Sequence, residues 1–299
     1  AVANHAAGTA QGKFVLVNGD SFADGLSASA LAGALGGALL LTQKDATPSS
    51  VLTTMTAMSS AVTGVNKHVY LVGGTSAISA AQASTLASNG WNVTRVSGAN
   101  RYATADAVAA VVKTQNAGVV GSLGGYKIGF LASGLNFADA ITVSGMAYDH
   151  KLPIYLTDGT TLSAGTSAAM KAQGIQKVIV LGGTAVISES VKTAALAVST
   201  VAVTQRLSGA DRYGTAKAVA DAMALLDATR KVKAILVDGR NFPDGLAASQ
   251  WSANQDATIL LTNGSTMPTD ISAWLTSRQA NITTISTIIR ITITGVVIT

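Results

Sequence analysis

Ser133-Gly134-Leu135-Asn136-Phe137-Ala138-Asp139-Ala140-Ile141 is the second of three closely similar blocks in this chain. The first block reads Asn18-Gly19-Asp20-Ser21-Phe22-Ala23-Asp24-Gly25-Leu26, and the third reads Asp238-Gly239-Arg240-Asn241-Phe242-Pro243-Asp244-Gly245-Leu246. Their phenylalanines are roughly 110 residues apart, which is the size of a domain and not of a short solenoid repeat. The sequence therefore predicts three copies of one module.

Each block follows an apolar run rich in β-branched residues and precedes an Ala-rich helical stretch. A second apolar strand ending in threonine follows, and a third strand ends in a glycine pair that begins at Gly73 or Gly182. Strands that alternate with helices indicate a parallel sheet, and continuous apolar strands indicate that helices cover both of its faces. We expect an α/β fold of three tandem modules, each with a small parallel sheet covered by helices.

An arginine-containing block closes the first two modules. It reads Arg95-Val96-Ser97-Gly98-Ala99-Asn100-Arg101-Tyr102 and recurs as Arg206-Leu207-Ser208-Gly209-Ala210-Asp211-Arg212-Tyr213. We place module 1 at residues 1–115, with this block and its helix at the end, module 2 at 116–228, and module 3 at 229–299. Module 3 has no third block and runs through an Ile/Thr-rich tract, so its C-terminal end is expected to be degenerate or incomplete.

Composition excludes several kinds of site. The chain has 48% hydrophobic and only 12% charged residues, against about 25% charged in typical soluble domains. Without cysteine it can form neither disulfides nor cysteine-based metal sites. The net charge of +5 favours an anionic partner, although simple solubility explains it equally well.

No apolar run reaches the roughly 18 residues that span a bilayer, so we expect no membrane insertion. The small residues from Ala1 to Ala3 are typical of a chain released by a signal peptidase.

The repeated aspartates Asp24, Asp139 and Asp244 lie where helices are predicted to start. A carboxylate there can cap the free backbone N–H groups, and this structural role is favoured over a role as acid, base or metal ligand. No repeated glutamate or histidine accompanies them, which makes a poor catalytic site. We therefore expect no catalytic residues.

The glycine turns at Gly73 and Gly182 could cradle an anion, but a plain tight turn is favoured, since neither matches a nucleotide-binding fingerprint. We expect no cofactor and no nucleic acid. The only histidines, His5, His68 and His150, occupy unrelated repeat positions without metal-ligand spacing. We expect no metal site.

Arg101 and Arg212 recur just before a tyrosine. A guanidinium fork can bind a carboxylate or phosphate at two points. One interpretation pairs each arginine with an aspartate across a module boundary, and the other gives it to an anionic ligand.

Taken together, these blocks resemble the cell wall binding repeat 2 family, whose modules occur in threes on bacterial surface and S-layer proteins. The resemblance extends from about Lys13 to about Met267. It implies a pseudo-threefold ring of modules, an extracellular location at the cell wall, and non-covalent anchoring through an anionic secondary wall polymer. It also associates a strand end similar to Pro-Ile-Leu-Leu with the polymer site. The counterparts here are Pro153, Ile154, Tyr155 and Leu156 in the second module, Leu39, Leu40 and Leu41 in the first, and Ile259, Leu260 and Leu261 in the third.

The leading hypothesis is therefore a surface-anchoring protein that binds an anionic wall glycopolymer at a module boundary lined by Lys and Arg. Three linked weak sites would gain avidity from their high effective concentration. The alternative is a structural protein that tiles a surface layer through contacts with other surface-layer proteins. A hydrolase of the envelope is disfavoured, because the sequence offers no catalytic constellation.

Overall fold

The computed structural model describes residues 12–60, 67–198, 200–227 and 233–288. Expectations for His5 and for the chain after residue 288 lie outside these ranges. The described chain forms three small sheets, each with one central strand and a parallel neighbour on either side. No described helix has both the length and the apolarity needed to cross a bilayer.

The first sheet has the order β2-β1-β3-β4 and is entirely parallel. Its strands are β1 (Lys13–Asn18), β2 (Ala38–Thr42), β3 (His68–Val72) and β4 (Asn92–Val96). A short 3-10 turn at Gly25–Ser27 leads into its first helix. The helices are α1 (Ala28–Leu35), α2 (Ser49–Met58) and α3 (Ala80–Ser88), and α4 (Arg101–Gln115) follows β4.

The second sheet repeats this order as β7-β6-β8-β9, with the short β5 added antiparallel to β6. Its strands are β5 (Ser122–Leu123), β6 (Tyr126–Ser133), β7 (Ile154–Thr157), β8 (Lys177–Leu181) and β9 (Val203–Leu207). Its helices are α5 (Ala138–Thr142), α6 (Ser144–His150), α7 (Ala164–Gln173) and α8 (Glu189–Leu196), and α9 (Arg212–Leu226) follows β9.

The third sheet has three described strands in the order β11-β10-β12. They are β10 (Lys233–Asp238), β11 (Thr258–Thr262) and β12 (Thr284–Thr287), with helices α10 (Phe242–Asn254) and α11 (Thr269–Ser277). β12 comes from the Ile/Thr-rich tract and pairs with β10 as β3 pairs with β1. The degenerate tract therefore still supplies a strand.

The three phenylalanines of the repeated block meet one another where the three modules join, and each is partly buried. The ring centroids of Phe22, Phe137 and Phe242 are 5.7, 5.9 and 6.0 Å apart. Around them α1, α6 and α10 pack pairwise against one another, and α10 also packs on β2 of the first sheet. One apolar core runs through all three modules. The predicted α/β fold with a pseudo-threefold arrangement is confirmed.

The helices that follow the arginine blocks pack across module boundaries. α4 packs on α1 in the first module and on β7 and α7 in the second, and α9 packs on β11 and α11 in the third. The buried side chains of Val108, Ala109 and Val112 supply the apolar surface of α4. The predicted boundary at residue 115 places α4 in module 1, whereas α4 packs against elements of both module 1 and module 2.

Candidate functional site

A polar cleft lies at the carboxyl edge of the first sheet. The chain leaves β1 toward β2 on one side and returns to β3 on the other, and a crevice at such a switch point is a common ligand site in α/β folds. The cleft has a volume of about 280 Å³. Its lining residues include Asn18, Asp24, Gly74, Asn100, Arg101 and Thr104.

The repeated aspartates lie inside these carboxyl edges. Asp139 is 8% exposed, and burial raises the pKa of its carboxyl to about 6, although Arg212 and a hydrogen bond from Thr215 act in the opposite direction. Burial likewise raises the pKa of Asp24, against the effects of Thr104 and Arg101. Each carboxylate is thus held by a threonine and an arginine of the helix that joins its module to the next.

The predicted capping role of these aspartates is not what the structure shows. Asp139 and Asp244 lie within the first turns of α5 and α10, and Asp24 precedes the 3-10 turn; none of the three helical starts has a side-chain capping bond. Side-chain caps occur on other helices, among them α4 and α9, which begin in the arginine blocks. The Asn100 side chain accepts from the Ala103 N–H, and Asp211 accepts from the Tyr213 and Gly214 N–H groups. A position near a predicted helix start was therefore not enough to tell an aspartate that caps a helix from one that is buried.

The glycine turns make room for the buried carboxylates. Gly73 and Gly182 have φ values of +119° and +101°. A Cβ on Gly182 would lie 2.5 Å from Asp139 Oδ2, and one on Gly73 would lie 2.7 Å from Asp24 Oδ2. The turns are therefore tight turns as predicted, and each also accommodates the aspartate of its module.

Arg101 and Arg212 connect successive modules. The Nη1 of Arg101 donates to the Gly134 carbonyl, and the Nη1 of Arg212 donates to the Gly239 carbonyl. The guanidinium group of Arg101 also faces Asp24, and that of Arg212 faces Asp139. The first interpretation is therefore met only in part: each arginine does tie two modules together, but through a carbonyl of the next module, while the aspartate that it faces belongs to its own module.

The third module is built differently at this edge. Asp238 pairs with Arg240 at 3.0 Å, a contact that neither other module can form, since Asn18 and Ser133 hold the equivalent position. Burial and the nearby Asp238 raise the pKa of Asp244. The Arg–Thr pair that holds the aspartate therefore occurs twice among the described residues.

The apolar strand positions that the family resemblance associates with a polymer are in the core. Leu41 is partly buried, and all the others are buried. Buried side chains offer a polymer no surface, so direct contact by these residues does not fit the structure. Their burial follows from their place on strands covered by helices on both faces. The buried positions are Leu39, Leu40, Pro153, Ile154, Tyr155, Leu156, Ile259, Leu260 and Leu261.

One group of described side chains has the composition of a metal site, although spacing along the sequence pointed to none. His150 Nε2 lies 3.2 Å from Asp227 Oδ2 and 3.4 Å from Asp149 Oδ2. The cluster joins the end of α6 to the end of α9. The same distances also suit an imidazolium held between two carboxylates. Only the fold brings Asp227 to His150, so no pattern in the sequence could reveal the cluster.

Comparison with known proteins gives matches over almost the whole chain. The chain is 30% identical over 255 residues to the N-acetylmuramoyl-L-alanine amidase LytC of Bacillus subtilis, a match that covers 85% of this chain and 46% of that protein. It is also 30% identical over 132 residues to the amidase enhancer of the same organism, covering 44% of this chain and 18% of that protein. The chain thus spans about half or less of the length of these relatives.

Two solved structures share the fold. Cwp8 from Clostridium difficile superposes with a TM-score of 0.79 at 24% identity, covering 97% of this chain and 48% of that one. Cwp6 from the same organism gives 0.77 at 24% identity, covering 94% and 42%.

The family model for cell wall binding domain 2 matches three successive segments, at residues 1–83, 95–192 and 206–297. The segments follow the three sheets and the three repeated blocks. The family description supports a cell-wall-binding role for this chain and a location at the cell wall or cell surface. With three modules covering most of its length, this chain belongs to the cell wall binding domain 2 family.

Proposed function

We propose that the chain holds itself, or a larger protein that contains it, on the bacterial wall by binding an anionic secondary wall polymer. The observation that carries this proposal is the family match in three successive segments. Three modules packed around one shared apolar core present three related surfaces to one polymer. Once one module has bound the polymer, the other modules meet it at a high effective concentration. Three weak sites can therefore attach the chain firmly although no single site binds tightly.

Binding without catalysis is part of the proposal. Asp24 and Asp139, the most buried of the repeated carboxylates, are engaged by threonine and arginine side chains of the chain itself. A general acid or base has to reach the substrate proton within hydrogen-bonding distance. The amidase activity in the name of the Bacillus relative remains with that protein, because the match covers only 46% of it.

The test is sedimentation of the purified chain with cell walls of the bacterium that encodes it. We expect the chain to pellet with intact walls and to remain in solution after acid-labile polymers have been stripped from them. Raising the salt from about 0.05 to 0.5 M should release it, because exposed charges are screened. Release of wall fragments by this chain alone would contradict binding without catalysis.

Equal pelleting with stripped walls would overturn the polymer as the partner. Ordered sheets formed by the purified chain without wall material would support the second function, a protein that tiles a surface layer.

A further inference from the structure

The arginines that the structure describes form hydrogen bonds within the chain. All six arginines in the described ranges donate to main-chain carbonyls or to carboxylates of the same chain. Arg95 and Arg206, for example, donate to the carbonyls of Gly73 and Gly182 and thereby hold the glycine turns. The other four are Arg101, Arg212, Arg240 and Arg278. Among the described residues, the lysines are therefore the more available source of positive charge for an anionic partner.

Half of the lysines gather at one end of the sheets. Among the residues that the structure describes, these six form no ion pair, whereas Lys192 and Lys217 at other places do. All six are partly buried, and the Nζ of Lys151 donates to the carbonyl of Asp149. They lie at or just before the amino ends of strands and are Lys13, Lys67, Lys127, Lys151, Lys177 and Lys233.

The second sheet concentrates this charge most. Lys177 at the start of β8 pairs in register with Ile128, the residue after Lys127 on β6. Lys151 directly follows α6 and lies three residues before Ile154, the first residue of β7. Ile154 pairs with Phe130 of β6, and Lys127 lies three residues before Phe130. Side chains alternate along a strand, so Lys177 shares the sheet face of Ile128 and Tyr126, whereas Lys127 lies on the opposite face, near the end of α7. The lysines therefore flank this amino edge from both faces of the sheet.

Two further side chains complete the edge. The Nζ of Lys177 lies 6.0 Å from the ring centroid of Tyr126, which is 39% exposed. From α4, Lys113 donates to the Ala172 carbonyl at 2.8 Å, close to the end of α7 where Lys127 also lies. We call Lys113, Tyr126, Lys127, Lys151 and Lys177 together the basic edge.

The opposite edge of the sheets has the wrong charge for a polyanion. The aspartates of the repeated blocks, and also Asp158 and Asp238, lie after the carboxyl ends of strands. Hydrogen bonds from the Thr161 and Thr160 backbone lower the pKa of Asp158, and its hydrogen bonds with Arg240 lower that of Asp238. Both therefore carry negative charge at neutral pH at the carboxyl edges of the second and third sheets, where Arg240 offsets the charge of Asp238 and Asp158 disfavours a polyanion.

We propose that the basic edge binds the anionic wall polymer, an inference that rests on the proposed function and names its binding surface. A lysine ammonium is a compact, well-hydrated charge that tolerates varied ligand geometry, which suits a flexible chain of phosphates or carboxylates. The exposed ring of Tyr126 adds a flat surface against which a sugar ring can pack. The lysines at the starts of β1 and β10 provide related but sparser edges on the other modules.

The test compares two double variants with the same change in net charge. Lys127→Gln with Lys177→Gln removes two charges from the basic edge. Lys44→Gln with Lys192→Gln removes two charges after β2 and on α8, near the carboxyl edges of the sheets. Both are measured by sedimentation with intact walls at about 0.05 M salt, and thermal unfolding verifies that each variant is folded.

We expect the basic-edge variant to lose about thirtyfold in affinity and the control variant to stay within about twofold, given roughly 1 kcal/mol for each of the two lysines near an anionic surface. The affinity of the basic-edge variant should also depend less on salt. Equal losses in the two variants would assign binding to diffuse net charge, and no loss in either would also overturn the inference. Both outcomes leave the proposed function intact, whereas failure of the unmodified chain to bind intact walls would overturn the proposed function itself.

Discussion

At the residue scale, the two glycines of each turn have different roles. Gly182 has a positive φ, and a Cβ there would collide with Asp139, whereas a Cβ on Gly183 would meet no atom within 4 Å. The sequence presents them as one pair. Their difference depends on where the carboxylate of Asp139 lies, and this follows only from the packing of α5 against β6 and β11.

Gly182→Ala should therefore destabilise the protein by roughly 2–4 kcal/mol, from left-handed backbone strain together with the clash against Asp139. Gly183→Ala is the matched control and should change stability by less than about 0.5 kcal/mol. Denaturant unfolding followed by circular dichroism measures both. Similar losses in the two variants would contradict the role assigned to the space beside Gly182.

At the element scale, the Asp139–Arg212 contact joins α5 of the second module to α9, which packs on the third. Burial raises the pKa of Asp139 to about 6, above its unfolded value near 3.8. Between these two values the folded state binds more protons than the unfolded state. Ionisation of Asp139 therefore lowers stability as the pH rises from about 4 to about 6.

Asp139→Asn removes this titration while keeping the shape of the side chain. Relative to the unmodified protein, the variant should gain about 2 kcal/mol of stability between pH 4 and pH 7. Asp158→Asn is the control with the opposite sign, because the lowered pKa of Asp158 makes its carboxylate stabilising at neutral pH. Unfolding midpoints measured across this pH range test both, and a constant difference for Asp139→Asn would contradict the raised pKa.

The sequence predicted the helices and strands better than it predicted which of them pack against each other. The alternation of apolar strands with Ala-rich helices, and the three repeated blocks, were enough for the α/β class and the number of modules. The packing of α4 on β7 of the next module could not be predicted, because the apolar face of a helix does not specify which sheet it covers. The polymer-binding positions taken from the family resemblance also could not be checked from the sequence. Tyr155 and its neighbours are apolar because they are buried in the core, and the sequence alone does not distinguish this from an apolar binding surface.

At the scale of the whole molecule, the ring closes through contacts between its first and third modules. Phe22 and Phe242 are far apart in sequence, yet their ring centroids are 5.9 Å apart, and α10 packs on β2. A linear array of modules would bring together only neighbours in sequence. Closure therefore predicts an energetic coupling between the two ends of the described chain.

A double-mutant cycle with Phe22→Leu and Phe242→Leu measures this coupling. Leucine keeps most of the apolar volume and removes the contact between the rings, so we expect a coupling energy of about 0.5–1.5 kcal/mol. Phe22→Leu combined with Met170→Ala is the control and should be additive, because Met170 belongs to a separate apolar cluster of the second module. A coupling below about 0.3 kcal/mol would mean that the first and third modules do not stabilise each other in solution. In that case the three modules would bind a polymer as a flexible string and not as one ring, which would lower the effective concentration on which firm attachment depends.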